Sequence, residues 1–289
     1  VHPRLQSLLP QRALSRACGR LARLERPRPL VRLVLAAFAR RYRVDLEEAD
    51  RPLADYASFT DFFTRRLRPD ARPLAADPQA LVAPADGVVA ACGVAGDGGT
   101  LIQAKGRHYG LAELLGSDEL AARFAGGSYL TTYLAPRDYH RVHAPWHGVL
   151  ERRLHRPGRL LSVAPGVVER LVVLPRNERV VLTFDDPRAG PWALVLVGAL
   201  VVGGIETVWE GTVNPLPEGV AAERRFAAGE AVVERGGEVG LFRAGSTVVA
   251  LFARRRVALE AFAPGRPLRV GRRIGRLGQP AAGGGGRTG

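Results

Sequence analysis

The sequence predicts an α+β protein, with amphipathic helices gathered at the N-terminus and a catalytic part that is mainly antiparallel β-sheet. Three observations predict it. Residues 4–24 and 30–43 carry Leu, Val, Ala and Phe at helical spacing among arginines. From about residue 80 onward, short valine-rich runs recur between turns. With 289 residues and 46% hydrophobic content, the chain can bury a substantial core.

Taken in order, the two basic helices are separated by 26-RPRP-29, because proline removes a backbone donor and clashes with the preceding turn. The stretch 52-PLADYASFTDFFTRRLRP-69 reads as one more helix and an exit loop. Strands are expected within 81–94, 128–135, 167–174, 179–184, 193–209 and 247–253, and a helix within 109–125. The glycine-rich 280–289 has too little apolar surface to order itself and is expected to be a disordered tail. Three regions result: a basic amphipathic helical region at 1–70, a β-rich catalytic domain at 71–279, and the tail.

Charge is concentrated at one end. Residues 1–43 hold 11 arginines against one acidic residue, Glu25, and so carry ten of the formal +14. The longest apolar run there, 33-LVLAAFA-39, is far short of the ~20 residues that span a bilayer. Such helices suit the membrane interface, with arginines among headgroups and aliphatic side chains below them; a pair of surface helices on a soluble domain has the same pattern. Nucleic acid fits less well, because the arginines alternate with aliphatic rather than stacking aromatic residues. Cys18 and Cys92 match no metal or redox spacing, which argues against a disulfide framework.

Chemistry concentrates in 136-PRDYHRVHAPWHG-148. Zinc has to be weighed for His140, His143 and His147, but odd spacing along a strand turns His140 and His143 to opposite faces. Acid–base or substrate-orienting work by one or two of them is the stronger reading, and no metal is expected. Asp86, in 83-APADGVV-89, is by itself ordinary turn chemistry. Ser246, in 240-GLFRAGSTVVALFA-253, lacks the G-x-S-x-G elbow of the α/β-hydrolases. Together, Asp86, His143 and Ser246 supply the carboxylate, base and hydroxyl of an activated nucleophile.

These segments resemble the prokaryotic phosphatidylserine decarboxylases, pyruvoyl enzymes made as self-cutting precursors. The resemblance runs from about residue 30 to 279. It is carried by 56-YASFTDFFTRRLR-68, 82-VAPADGVV-89, 101-LIQAKGRHYGLAELL-115, 131-TTYLAPRDYHRVHAPWHG-148, 177-NERVVLTF-184, 197-VGALVVGGIETVW-209 and 240-GLFRAGSTVVALF-252. The Y-H-R-V-H-x-P and G-S-T motifs stand in this order, roughly 100 residues apart. One residue departs from the family pattern, Ala244 in the position of a leucine, and it bears on the rate of cleavage.

The resemblance implies that Asp86, His143 and Ser246 form the triad for self-cleavage between Gly245 and Ser246, giving a large and a small chain. It implies that Ser246 becomes an N-terminal pyruvoyl group, with no external cofactor. A Schiff base of that group with phosphatidylserine would release carbon dioxide and leave phosphatidylethanolamine. His140 becomes the candidate acid or carboxylate-orienting group, with His143 as rival, and His147 falls outside the motif. A homodimer and a peripheral position on an anionic phospholipid membrane, at the cytoplasmic face of the cell membrane, are also implied; nucleic acid is not a partner. The alternatives are a membrane-associated Ser–His–Asp or zinc hydrolase without self-cleavage, and a non-catalytic basic membrane-binding module.

Overall fold

The structure, a computed structural model, describes residues 11–96, 98–104, 107–199, 204–214, 222–243 and 245–278. Ala244, Lys105 and the 280–289 tail lie outside the described residues. Helices precede strands, as the sequence predicts: Gln11–Ala22 and Arg28–Tyr42 come first, and the strands begin at Ala80. Pro27 occupies the N-cap of the second helix, and Arg43 ends it in the left-handed conformation. Val31, Leu35 and Ala39 of this helix pack on Tyr56 and Phe62. Its opposite side leaves Leu30, Leu33 and Val34 exposed, beside exposed Leu21 and Leu24.

A nine-stranded antiparallel sheet forms the centre of the described residues. Along its main path run Glu223–Arg225, Gly148–Arg156, Arg179–Asp185, Trp192–Val197, Ser246–Phe252, Ser128–Leu134, Gly87–Val94 and Pro267–Leu268; Val232–Val233 also pairs with Gly148–Arg156. Ser246–Phe252 is paired on both sides, and every residue in it is buried. Val248, Ala250 and Phe252 enter one core cluster, while Val249 and Leu251 enter the cluster on the other face. Burial of both faces explains why such strands read as continuous apolar runs rather than alternating ones. A four-stranded sheet holds Arg141–His143 beside Glu238–Phe242.

Four sequence expectations need correction. Residues 167–174 form no strand: Pro165–Val168 is a short helix, and turns follow it. The backbone there is served by the Gln103 side chain, which donates to the carbonyls of Val168 and Leu171 and accepts from the N–H groups of Val173 and Leu174. The valines mark burial in the core rather than strand pairing. Within 52–69 only a 3₁₀ turn at Leu53–Asp55 and the five-residue helix Phe59–Phe63 form, because Ser58 caps a new start by accepting from the Asp61 N–H. The helix expected in 109–125 is two, Leu111–Leu115 and Asp118–Phe124, broken where Gly116 takes φ +65°. The run 193–209 divides between two sheets, as Trp192–Val197 and Ile205–Thr207.

Gly87 opens the Gly87–Val94 strand at φ +149°, and a Cβ there would lie 2.1 Å from the Tyr133 carbonyl oxygen. Only glycine fits so close an approach of two backbones. Gly87→Ala is expected to lower stability by about 1–3 kcal/mol from backbone strain alone, with further loss as the strands part. A urea denaturation midpoint compared with the parent protein checks it.

Candidate active site

Sheet register brings the four candidate residues to one end of the molecule. Tyr133 pairs with Val88 on one side and Thr247 on the other, so the next step along places Gly87, Leu134 and Ser246 in a row. Asp86 immediately precedes Gly87. The His143 N–H donates to the Pro84 carbonyl at 2.8 Å, two residues from Asp86. The Phe242 N–H donates to the His140 carbonyl at 2.9 Å, four residues before Ser246.

Ser246 is fully buried, and its Oγ has no hydrogen-bond partner among the described residues. Buried polar atoms are almost always paired, so an orphaned hydroxyl calls for an explanation. Gly245 beside it is half-buried, and a Cβ there would meet no atom within 4 Å outside its chain neighbours.

His143 donates Nδ1–H to the Gly236 carbonyl at 2.9 Å. The carbonyl can only accept, so Nε2 carries the lone pair, which faces the Tyr139 hydroxyl at 3.2 Å. Burial pushes the His143 pKa below the ordinary range, against the Gly236 hydrogen bond and the charges of Glu238 and Asp86. Tyr139 is pushed up to about 12, chiefly by burial. A neutral imidazole with a free lone pair is the form a general base requires.

The expected contact of Asp86 with His143 is where the structure departs. Arg72 Nε lies 3.0 Å from both Asp86 oxygens, Nη2 lies 2.5 Å from Oδ2, and the Val270 N–H donates to Oδ1 at 2.8 Å. These contacts use the acceptor capacity of a carboxylate, and the Gly236 carbonyl orients the histidine instead. No hydrogen bond joins Asp86 to His143 among those described, and the Asp86 charge favours the protonated form of His143.

His140 is wholly buried, with its ring centroid 4.1 Å from that of Phe63. Its Nδ1–H donates to the Asp138 carbonyl at 2.8 Å, and Nε2 has no partner among the described residues. Burial, with a smaller contribution from the Arg65 charge, pushes its pKa down to about 3. In this environment His140 stands neutral and offers a lone pair. His147 is half-buried and bonded to Glu234 at 2.6 Å. Each histidine thus has its own partner, and among the described residues no three His, Cys, Asp or Glu side chains gather as a metal site.

On the opposite face of the sheet, a cavity of about 590 Å³ begins at Thr247 and Tyr133 and is lined largely by apolar groups, including Val88, Val163 and Phe262. Sequence reasoning missed Arg72 and Gly236, which carried no motif signal. Tyr139 was visible only as the first letter of Y-H-R-V-H.

A family profile described as Phosphatidylserine decarboxylase matches residues 59–276. The chain belongs to the phosphatidylserine decarboxylase family. A second profile, described as PSD, matches residues 4–43. The chain is 48% identical over 273 residues to the Bordetella pertussis protein named Phosphatidylserine decarboxylase proenzyme, covering 92% of this chain and 91% of that one. Proteins of the same name from Sodalis glossinidius and Pseudomonas aeruginosa are each 47% identical, covering 93% and 92% of this chain and 93% of each relative. Family membership thus extends over the whole cluster of Asp86, His140, His143 and Ser246.

The His140 environment predicts a pH dependence. Its folded pKa lies below the unfolded value, so the unfolded chain binds the extra proton first, and stability falls as pH drops below about 6.5 toward 3. The slope is about 1.4 kcal/mol per pH unit for one proton. In an uncut Ser246→Ala background, His140→Gln is expected to remove that component between pH 6 and 4.5. Urea midpoints across that range, compared with Ser246→Ala alone, check it.

Proposed function

We propose that this chain is the precursor of a pyruvoyl-dependent phosphatidylserine decarboxylase that cuts its own Gly245–Ser246 bond and converts phosphatidylserine to phosphatidylethanolamine and carbon dioxide. The observation that carries this reading is the complete burial of Ser246 in a paired strand, with Oγ unpartnered. A hydrolase nucleophile must meet a substrate from outside. A self-cutting serine needs only the carbonyl that precedes it, and Gly245 carries no side chain to hinder it. This favours self-cleavage over the Ser–His–Asp hydrolase alternative.

In this reading the His143 Nε2 lone pair takes the Ser246 hydroxyl proton once Tyr139 gives way. Oγ attacks the Gly245 carbonyl carbon, the C–N bond breaks as the ester forms, and the amide nitrogen takes the proton from His143. Loss of the Ser246 α-proton then expels Gly245 as a carboxylate. Water hydrolyses the resulting dehydroalanine, ammonia leaves, and a carbonyl remains at the new N-terminus. That carbonyl, conjugated to the chain, supplies an electron sink for a decarboxylating amine. His140, in the same cluster, is the candidate neutral acceptor, and the apolar cavity on the other face of the sheet, lined by the adjoining Thr247, suits part of a lipid substrate.

The N-terminal helices give this chemistry a place. Among the described residues, no helix is long and apolar enough to cross a membrane. Exposed Leu21, Leu24, Leu30, Leu33 and Val34 rim an apolar hollow or stand beside it, among arginines. A peripheral seat on an anionic leaflet, at the cytoplasmic face, fits that combination. The homodimer belongs to the same reading.

Two outcomes are expected. Wild-type protein runs as two chains, the smaller beginning at residue 246 with a carbonyl that borohydride or hydroxylamine modifies, while Ser246→Ala remains one inactive chain; intact mass and decarboxylase assay check this. A full-length wild-type chain with decarboxylase activity overturns the mechanism. Replacing Leu30 and Leu33 with Asn is expected to weaken binding to anionic vesicles at least ~10-fold, since each buried Leu contributes about 1.5–3 kcal/mol. Vesicle sedimentation checks it.

A further inference from the structure

The Asp86 carboxylate is one end of a buried charge chain that begins in the N-terminal region. Side-chain exposure is 8% for Asp86 and 11% for Arg72. Arg72 grips Asp86 through Nε and Nη2, and Nη2 also donates to Glu48 Oε2 at 2.7 Å. Glu48 Oε1 accepts from Arg269 at 2.6 Å, one residue before the Val270 whose N–H reaches Asp86. The Glu48 carbonyl accepts from the Arg68 N–H, which ties the loop after the Arg28–Tyr42 helix to the strand-like segment leading to Arg72. No sequence motif pointed to Arg72 or Glu48.

We infer that Arg72 is a positioning residue for self-cleavage, acting on Ser246 through Asp86. The inference rests on the reading that Gly245–Ser246 is cut with Asp86 and His143 taking part. Its physical basis is the scarcity of other partners for Asp86. A buried carboxylate stays charged and in place only if paired and hydrogen-bonded, and without Arg72 the Val270 N–H is its remaining hydrogen bond among those described. His143 becomes a cation when it takes the Ser246 proton, in a buried setting that opposes charge. The nearby Asp86 charge favours that cation, so a carboxylate that neutralises or turns away withdraws support at the moment it is needed. The fork of Arg72 matters as well as its charge, because two nitrogens fix the carboxylate in one plane where an ammonium would not.

The test follows conversion of freshly synthesised precursor to two chains by electrophoresis and intact mass. Wild type, Ser246→Ala, Arg72→Gln, Arg72→Lys and Arg72→Ala are compared, the last with and without millimolar methylguanidine. Arg72→Gln is expected to cut about 10- to 100-fold more slowly, by analogy with the loss when a partner that orients a metal-binding side chain is removed. Arg72→Lys is expected to cut slowly despite its charge, and methylguanidine to accelerate Arg72→Ala saturably, which a merely structural role would not produce. A cooperative melt of Arg72→Gln in the Ser246→Ala background separates slow cutting from misfolding; if that melt is lost, the Lys variant and the methylguanidine arm decide. Wild-type cutting rates in Arg72→Gln or Arg72→Lys, or no response to methylguanidine, overturn the inference alone. A wild-type chain that stays uncut, or a Ser246→Ala chain that cuts, overturns the self-cleavage reading and this inference with it.

Discussion

The pairing of the Ser246–Phe252 strand on both sides and the burial of both its faces are the constraint on which the rest depends. A slip of one residue would exchange Val248, Ala250 and Phe252 with Val249 and Leu251 between two different cores, so the register is held firmly. Regular pairing starts at Ser246. Gly245, one residue earlier, is half-buried with open space beside it. The proposed scissile bond therefore lies where rigid sheet gives way to irregular chain. Its serine is fixed by the sheet, and the residue before it carries no side chain.

Buried charge alone does not mark the site. Buried Arg153 bonds half-buried Glu210, and buried Glu178 bonds His155, each at hydrogen-bond distance. These pairs join elements of the fold. The site brings two buried polar atoms without partners among the described residues, Ser246 Oγ and His140 Nε2, into the same region as a carboxylate that is fully engaged elsewhere. Leaving such atoms unpaired costs stability, and a chemical role accounts for their retention. The cost is set against a large core, in which the Trp192 and Phe184 rings stack at 4.0 Å beneath the sheet.

The helical N-terminus and the valine-rich strands were legible because their signals are local: proline punctuation, helical spacing and β-branched runs. The same signals failed at 167–174. Apolar content there reports burial, while a distant glutamine serves the backbone that a neighbouring strand would otherwise pair. Asp86, His140, His143 and Ser246 were legible as chemistry-bearing residues within motifs. Their connections were not. Whether Asp86 bonds His143 or Arg72 depends on where residues 72, 236 and 270 arrive, and those contacts span up to 184 positions of sequence.

The sequence by itself determined the class of fold, the charged N-terminal region, the candidate reacting residues and the family resemblance. These follow from residue type and near-neighbour order, which determine local backbone preference and available chemistry. Only the tertiary structure decided that the three triad candidates are gathered without being chained, that burial disfavours the charged form of His140, and that Arg72 takes the Asp86 carboxylate. Protonation and partner choice depend on dielectric surroundings and on geometry to within a few tenths of an ångström. Both arise when segments far apart in the chain are packed together.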